Sequence, residues 1–257
     1  MIWKGHMQRV VLPMILPVVL LLSWQWASSA GTISTRILPS PLNVLYALIE
    51  KAHSGELFDN LAISAWRAGV GMAIGGGLGL VLGFLTGLSK TARSLLDTSI
   101  QMARNLPHLA LIPLVILWFG IDEEAKIFLI ALGVFFPLYV NTYHGIISID
   151  PGYLEMARVY GVGRSEFLRK VVLPGALPSI LVGFRFSLGL MWLTLIVAET
   201  IAATSGIGYM AMSAREFMRL DVVVLAILIY AVLGKAADIF ARLLERRFLR
   251  WNPTYLE

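Results

Sequence analysis

Ionisable residues inside long apolar segments are the residues of this sequence best suited to act on a substrate. Arg185 lies within the apolar run Leu177–Ala198, and Gly189, Trp192 and Glu199 follow it at offsets of four, seven and fourteen residues. On a helix these four residues fall near one face. A guanidinium inside a membrane is costly, and its forked donors suit an oxyanion. We therefore predict that this face lines a translocation pathway for an anion; the alternative is that Arg185 pairs with a neighbouring helix and only fixes packing.

Other polar residues of the apolar segments fit structural roles better. Lys235 and Asp238 are three residues apart and are expected to pair on one helix. Arg67, near one end of its segment, is expected to extend its charged group to the lipid headgroups. Three further residues either bind a partner or satisfy backbone groups, and we favour the second role for His108, Asn141 and His144. The spacing of His, Asp and Glu matches no metal site and no Ser–His–acid arrangement, so neither a metal nor a catalytic residue is predicted.

The composition explains why these residues must be positioned in a membrane. Of the 257 residues, 58% are hydrophobic and 14% are charged, against about 25% charged in an ordinary soluble domain. These values exclude a soluble enzyme and a disordered regulator. The absence of cysteine excludes a disulfide scaffold, a zinc finger and a thiol nucleophile. The sequence therefore predicts an all-α integral membrane protein.

Six apolar segments are candidates for membrane-spanning helices. They are Val10–Ala27, Leu61–Leu88, Leu106–Phe119, Ile127–Ile147, Leu177–Ala198 and Val222–Phe240. The third is shorter than the roughly 20 residues that a span requires and contains Pro107 and Pro113. We therefore extend it back through Ser99–Asn105, with Arg104 extending to the headgroups. Residues 1–60 are predicted to form the first helix and an outer segment with an amphipathic helix over Leu42–Ala52. Residues 61–240 form the core, and residues 241–257 form a cytoplasmic tail.

The distribution of basic residues sets the expected orientation. One set of loops and both termini hold most of them: Lys4, Arg9, Lys90, Arg93, Arg104, Arg158, Arg164, Arg169, Lys170, Arg242, Arg246, Arg247 and Arg250. The opposite loops hold Arg36, Lys51, Lys126, Arg215 and Arg219. The positive-inside rule places the richer side, and hence both termini, in the cytoplasm. The net charge of +5 is thus explained by topology, and no nucleic-acid partner is predicted.

The second segment carries glycines at every fourth position. Gly71, Gly75, Gly79, Gly83 and Gly87 share one helix face, where a second helix can approach to backbone contact. A nucleotide-binding loop is the alternative, because Lys90 follows this glycine-rich segment. A phosphate-binding loop needs glycine directly before its lysine, and Ser89 occupies that place. The glycines are therefore predicted to pack helices, and no ATP site is predicted in this chain.

The loop between the fourth and fifth segments is predicted to form a rigid knob. Asp150 suits an N-cap and Pro151 the first helical position, so a short helix covers residues 151–160 and ends at Gly161. A second short helix, over residues 165–173, is expected to end at Pro174. From physics alone, the alternative is an ordinary amphipathic connector.

The knob carries a recognisable pattern of residues: Glu155, Met156, Ala157, Gly161, Val171, Leu173 and Pro174. It resembles the cytoplasmic signature of permease subunits of ATP-binding-cassette importers, which reads Glu-Ala-Ala, a glycine four residues on, and Ile-x-Leu-Pro. Met156 and Val171 depart from that signature but remain apolar and of suitable size. Residues 34–41, 113–120 and 189–200 resemble the nitrate, sulfonate and taurine branch of this family, and over nearly the whole chain the resemblance is greatest to aliphatic sulfonate permease subunits.

The resemblance implies a six-helix type I importer domain whose knob is the coupling helix of a non-catalytic subunit. It implies a multi-pass protein of the bacterial inner membrane that assembles with two ATPase subunits and a periplasmic binding protein. No cofactor is expected in this chain, while ATP and Mg²⁺ belong to the ATPase. Since one type of membrane subunit is recognisable, we expect a C2 homodimer in lipid. The implied substrate is an aliphatic sulfonate, with taurine, nitrate or another small anion as the alternative.

Three other interpretations were considered. An intramembrane enzyme would need convergent catalytic side chains at depth, and the sequence offers none. A channel or secondary transporter would show repeats or matched broken helices and would leave the knob unexplained. A cleaved signal peptide ending near Ser28–Ala30 is a weaker interpretation of the first segment than a membrane anchor flanked by Trp24 and Trp26.

Overall fold

The computed structural model describes residues 2–32, 34 and 37–251, and over these residues the secondary structure is entirely helical. The α-helices of the described residues are α1 (Ile2–Ser29), α2 (Pro41–His53), α3 (Glu56–Leu88), α4 (Lys90–Arg104), α5 (Ile112–Phe119), α6 (Glu123–Ile147), α7 (Pro151–Val159), α8 (Arg164–Phe167), α9 (Leu173–Ala202), α10 (Ile207–Glu216) and α11 (Leu220–Phe248). A 3₁₀ turn (His108–Leu111) precedes α5, and a π-helical segment (Leu168–Val172) joins α8 to α9. Arg36 and Thr35, which enter the predictions above, and residues 252–257 of the predicted tail lie outside the described residues.

The centre of the bundle is the pair α3 and α6, which lie side by side and run in the same direction. Their contacts advance together, from Gly71 against Ile130 to Gly87 against Ile146. A Cβ atom at Gly79 would lie 2.6 Å from the carbonyl oxygen of Phe135, and one at Gly83 would lie 2.7 Å from the Cβ of Thr142. A Cβ atom at Gly75 would overlap the backbone of Ala131. All five glycines of the predicted face thus lie against α6, at a separation that side chains would prevent.

Helix α9 runs antiparallel to α6 on its other side. Ser187 donates a hydrogen bond to the carbonyl oxygen of Val134 (3.0 Å), and Ser179 donates one to that of Asn141 (2.7 Å). These bonds satisfy hydroxyl groups inside the bundle, which is necessary where no water is present. α11 packs against α9 and α10, and α2 packs against α11.

The parallel orientation of α3 and α6 requires the chain between them to return along the bundle. It does so in two pieces, Lys90–Arg104 and His108–Phe119, which are bent by 83°. The third segment, extended in the prediction back to Ser99, is therefore not one straight helix but is broken near Pro107, one of the two prolines that interrupt it. α4 ends at Arg104, and Pro107, which has an extended ψ of 100°, precedes the 3₁₀ turn. A proline disfavours helical geometry in the residue before it and cannot donate a helical hydrogen bond, so the helix breaks there.

The length and apolarity of the helices fit a membrane protein. Within the described residues four helices are long and apolar enough to span a membrane, and the bent pair would be a fifth span. α1 adds a shorter apolar segment, Ile15–Ser29. α3 presents large apolar side chains away from the bundle, among them Leu78, Val81 and Leu85. Such a surface suits lipid, and the full count of six spans stays a prediction.

The two ends of the bundle differ. At the knob end, α6 ends and α9 begins; at the far end, α6 begins and α9 ends. The predicted amphipathic helix is present at the far end as α2, which Ser40 caps. Arg219, before α11, pairs with Glu50 of α2 at 2.8 Å, and its hydrogen bonds hold the pKa of the Glu50 carboxyl below its usual range. α10, also at the far end, was not predicted.

Candidate functional site

The knob, residues 150–167, begins as the sequence predicts. The Asp150 side chain accepts a hydrogen bond from the Gly152 amide (2.8 Å), and Pro151 is the first residue of α7. α7 ends at Val159, and Gly161 follows with a φ of 67°. This left-handed conformation is readily available to glycine and strained for most other residues. The glycine therefore lets the chain turn sharply between α7 and α8.

The second part of the knob differs from the prediction. α8 does not end at Pro174; the chain continues through the π-helical segment into α9, and Pro174 lies at the start of α9. Proline lacks the donor that a regular helix needs and crowds the preceding turn. A wider π turn directly before it is a usual way to accommodate a local disruption of helical bonding. The knob is consequently joined to a transmembrane helix without an intervening loop.

The surface of the knob exposes large apolar residues among its charged ones. Val159 is 83% exposed, Tyr160 is 78% exposed, and Met156 is also exposed. Of the predicted coupling residues, Glu155, Gly161 and Leu173 are exposed, Val171 and Pro174 are half-buried, and Ala157 is buried. The carbonyl oxygen of the buried Ala157 accepts a hydrogen bond from the Val162 amide (2.8 Å) across the turn at Gly161. The knob thus has a fixed interior and an exterior on which apolar residues lie uncovered beside charged ones.

The predicted pathway face divides into an open and a closed part. Arg185 and Gly189 line a groove of about 560 Å³ between α9 and α11. Arg185 pairs there with Asp238 (2.6 Å). Asp238 also pairs with Lys235 (3.5 Å), as predicted, and with Arg242 (3.1 Å). One carboxylate therefore faces three cations.

The other two residues of that face do not line the groove. Trp192 is half-buried, and its indole Nε1 is buried without a hydrogen-bond partner in the described part of the chain. Glu199 has no exposed side-chain surface. Glu199 nonetheless lies toward α11, since it accepts a hydrogen bond from Tyr230 of that helix (2.9 Å). At the far end the first residues of α10 cover Glu199, whereas the groove beside Arg185 is open.

Glu199 and Arg67 form the centre of a buried polar network at the far end. Their side chains are fully buried and pair at 2.7 Å. Arg67 also binds Glu123 through Nε (2.6 Å) and Nη2 (2.7 Å). Its remaining N–H groups donate to the carbonyl oxygen (2.7 Å) and hydroxyl (2.9 Å) of Ser205. Every donor of the guanidinium is thus satisfied, and Lys126, 3.1 Å from Glu123, balances the second carboxylate.

This arrangement corrects the prediction for Arg67, which does not reach the headgroups. It lies four residues before Gly71, in register with the glycine face that packs on α6. Its side chain therefore points into the bundle, where it forms ion pairs with two carboxylates, those of Glu123 and Glu199. Removing a guanidinium from water is costly, which is why arginines near the end of a span usually extend to the headgroups. Here the hydrogen bonds and the opposite charges of the two carboxylates offset most of that desolvation cost.

The network also holds the first residues of α10. The amides of Gly206, Ile207 and Gly208 donate to Asn60 (2.7 Å), Ser64 (2.9 Å) and Glu199 (3.0 Å). The first amides of a helix have no partner within that helix, so these side chains act as its cap. Gly206 has a φ of 105°, and a Cβ atom there would lie 2.6 Å from Nη1 of Arg67. The chain after α9 is therefore fixed to α3.

The described residues contain no group of three or more His, Cys, Asp or Glu side chains able to hold a metal ion. A helical membrane bundle with a protruding knob and a charge-balanced interior fits the membrane-embedded part of a transporter. The chain belongs to the family of binding-protein-dependent transport system inner membrane components, whose sequence model matches residues 75–250. It is accordingly a multi-pass, non-catalytic component of the inner membrane.

Two relatives give the range of similarity. The putative aliphatic sulfonates transport permease protein SsuC of Escherichia coli is 65% identical over 95% of this chain and 93% of its own length. The taurine transport system permease protein TauC of the same species is 37% identical over 97% of this chain and 93% of its own length. Both similarities extend through the bundle and the knob.

A solved structure shares the fold. It is described as an amino acid ABC transporter with histidines, and the match has a TM-score of 0.64 with 20% identity, over 78% of this chain and 97% of that one. At this identity the similarity concerns the arrangement of the helices and not the substrate. The type I importer fold that the sequence resemblance implied is confirmed.

Proposed function

We propose that this chain is the permease subunit of an ATP-driven importer that moves aliphatic sulfonates across the inner membrane by alternating access. The observation that carries the substrate is the 65% identity to the Escherichia coli sulfonate permease over 95% of the chain. Taurine, nitrate or another small anion is the alternative, and the taurine permease is less similar at 37%.

The knob is proposed to receive work from a separate ATPase subunit, which carries the ATP and Mg²⁺. Inward movement of an anion against an inside-negative potential costs about 2.3 kcal/mol per charge per 100 mV. An energy source is therefore needed. The exposed Val159 and Tyr160 suit a protein partner better than water. Because α8 continues into α9, a displacement of the knob would be passed directly to a helix that crosses the bundle.

The assembly is proposed to contain two copies of this chain, two ATPase subunits and a periplasmic binding protein. The knob end then faces the cytoplasm, in agreement with the excess of basic residues there. Arg185 and Gly189 are proposed to line the pathway, which their position in an open groove supports. A pathway role for Trp192 and Glu199 stays a prediction.

The substrate is tested by growth. A strain without its own sulfonate and taurine permeases receives this chain together with its ATPase and binding protein. Alkanesulfonates, taurine or sulfate then serve as the only sulfur source. We expect growth on alkanesulfonates at the rate seen on sulfate, and at least tenfold less uptake of taurine. Growth on taurine but not on alkanesulfonates would contradict the assignment to alkanesulfonates and favour the taurine alternative.

Docking of the knob is tested by crosslinking, because the chain contains no cysteine. Glu155→Cys on the knob and Glu216→Cys on α10 place one thiol at exposed positions at opposite ends of the bundle. In transporting vesicles, a short bifunctional reagent is expected to join the Glu155→Cys variant to the ATPase subunit. The Glu216→Cys variant should give no such product. A crosslink from Glu216→Cys only, or none from either position, would refute the proposed docking.

A further inference from the structure

A second cavity opens where the chain breaks between α4 and α5. It has a volume of about 330 Å³ and is lined by Arg104, His108, Gly133, Phe136, Pro137, Val140, Asn141, Phe186 and Leu190. It adjoins the groove of Arg185, with which it shares Phe186 and Leu190. The cavity reaches from Gly133, near the middle of α6, toward the knob end at Asn141. Its size falls within the range of small-molecule sites.

Arg104 is the unusual member of this lining. Arg104 is exposed and differs in this from Arg67 of α3 and Arg185 of α9, which each pair with a carboxylate. Arg104 forms no hydrogen bond or ion pair with any other residue that the structure describes. It lies at the end of α4, whose partial negative charge favours a cation, but no anionic side chain lines the cavity around it. Its charge is therefore available to a mobile anion.

The neighbouring polar groups are held in place beside it. Nε2 of His108 lies 3.1 Å from the hydroxyl oxygen of Thr194 on α9. This approach requires Gly133, because a Cβ atom there would lie 2.8 Å from that hydroxyl and 3.3 Å from Nε2 of His108. Asn141 donates to the carbonyl oxygen of Pro137 (2.9 Å), which fixes its amide and leaves its own oxygen without a partner in the described structure. The cavity thus combines the guanidinium of Arg104, which has no partner among the described residues, with polar side chains held in fixed positions.

The remaining walls are apolar. Phe136, Phe186 and Leu190 present rings and methyl groups to the same space as the guanidinium. A charged head beside an apolar wall matches a ligand with an anionic group and a short aliphatic chain. Nitrate or sulfate would interact with the guanidinium but has no aliphatic chain to contact the apolar wall. A transient site is sufficient, since a pathway must release what it binds.

We propose that Arg104, with His108 and Asn141, forms an anion-binding site in the pathway. This site holds the sulfonate group of the substrate, while the aliphatic chain of the substrate lies against Phe136 and Phe186. The choice of a sulfonate rests on the proposed function. The anion site itself rests on the unpaired guanidinium in the cavity.

The test uses the complete transporter in vesicles and a thiol at Val140, which lines the cavity. Because this chain has no cysteine, Val140→Cys reports on this cavity once the ATPase carries no reactive thiol. Its labelling rates are compared for the anionic reagent 2-sulfonatoethyl methanethiosulfonate and its cationic trimethylammonium analogue. We expect the anionic reagent to be preferred, and the preference to fall at least fivefold when Arg104→Gln is added.

Three controls separate the charge of Arg104 from general effects. Lys90→Gln removes a charge from the same helix outside the cavity and should leave the preference unchanged, whereas Arg104→Lys should retain most of it. At Val182→Cys, in the groove of Arg185, the preference should not depend on Arg104. A preference that survives Arg104→Gln, or a Val140 position that reacts with neither reagent, overturns the proposal.

Protection and uptake distinguish the site from the identity of the substrate. An alkanesulfonate should slow anionic labelling of Val140→Cys, while an alkyl alcohol of equal length should not, and Arg104→Gln should reduce sulfonate uptake at least tenfold. If labelling depends on Arg104 but nitrate protects and neither alkanesulfonates nor taurine do, the anion site stands and the sulfonate assignment fails. Unchanged sulfonate uptake by the Arg104→Gln variant refutes the anion-binding site even if the wild type transports sulfonates.

Discussion

Replacing Arg67 with methionine is expected to prevent most of the protein from accumulating in folded form. The substitution leaves the fully buried carboxylate of Glu199 without its cation and removes the bidentate partner of Glu123. Breaking a buried ion pair on one side costs about 3–5 kcal/mol, because the remaining charge stays buried. The amount of monodisperse protein and the apparent Tm in detergent measure the effect.

A matched control distinguishes burial from charge. Arg219 also pairs with two carboxylates at the far end, but its side chain is 41% exposed, so Arg219→Met should cost at most about 1 kcal/mol. Adding Glu199→Gln to Arg67→Met removes the stranded charge and should restore part of the lost Tm. Equal losses for Arg67→Met and Arg219→Met would show that the network does not stabilise the bundle.

The glycine face and Arg67 illustrate how far the sequence could lead. Spacing alone identifies the face that packs on another helix, and Arg67 is four residues before Gly71, so its inward direction could have been predicted. The prediction that Arg67 reaches the headgroups was wrong because it relied on how near Arg67 lies to the end of its apolar segment. The partners could not be predicted in the same way, because Glu199 is 132 positions further along the chain and is brought near by folding.

The predicted pathway face shows a different limit. Helical periodicity correctly places Arg185 and Glu199 on one side of α9, and both contact α11. Periodicity does not tell which neighbour covers each level of that side. α10 covers Glu199 and leaves Arg185 in an open groove, and α10 has too few apolar residues for hydropathy to reveal it as part of the bundle.

The disturbances of helical structure at Pro107 and before Pro174 were predictable in position but not in geometry. Pro107 and Pro174 both mark a disturbance of helical bonding, as the sequence indicates. At Pro107 the helix axis turns by 83° between the flanking helices, whereas before Pro174 a π turn keeps the chain helical. The choice between these outcomes depends on tertiary packing: α9 packs along α6 from its first turns, while α4 has no buried residue.

Gly75→Ala should destabilise the bundle strongly, although it adds one carbon atom. The new Cβ would overlap the backbone of Ala131, which cannot rotate away as a side chain could, so α3 and α6 must separate along their length. Overpacking usually costs about 1–3 kcal/mol, and contact with backbone places this site at or above the upper value. The apparent Tm and the yield of folded protein provide the measurement.

Gly77→Ala is the matched control, two residues along the same helix. A Cβ at Gly77 meets no atom within 4 Å, so this variant should keep the wild-type Tm. Loss of stability in both variants would mean that helix α3 itself, and not its contact with α6, is sensitive to the added methyl group. If only Gly75→Ala is destabilised, the close backbone contact fixes α3 to α6. Because α6 leads directly into the knob, such a pair would move as one body when the knob is displaced.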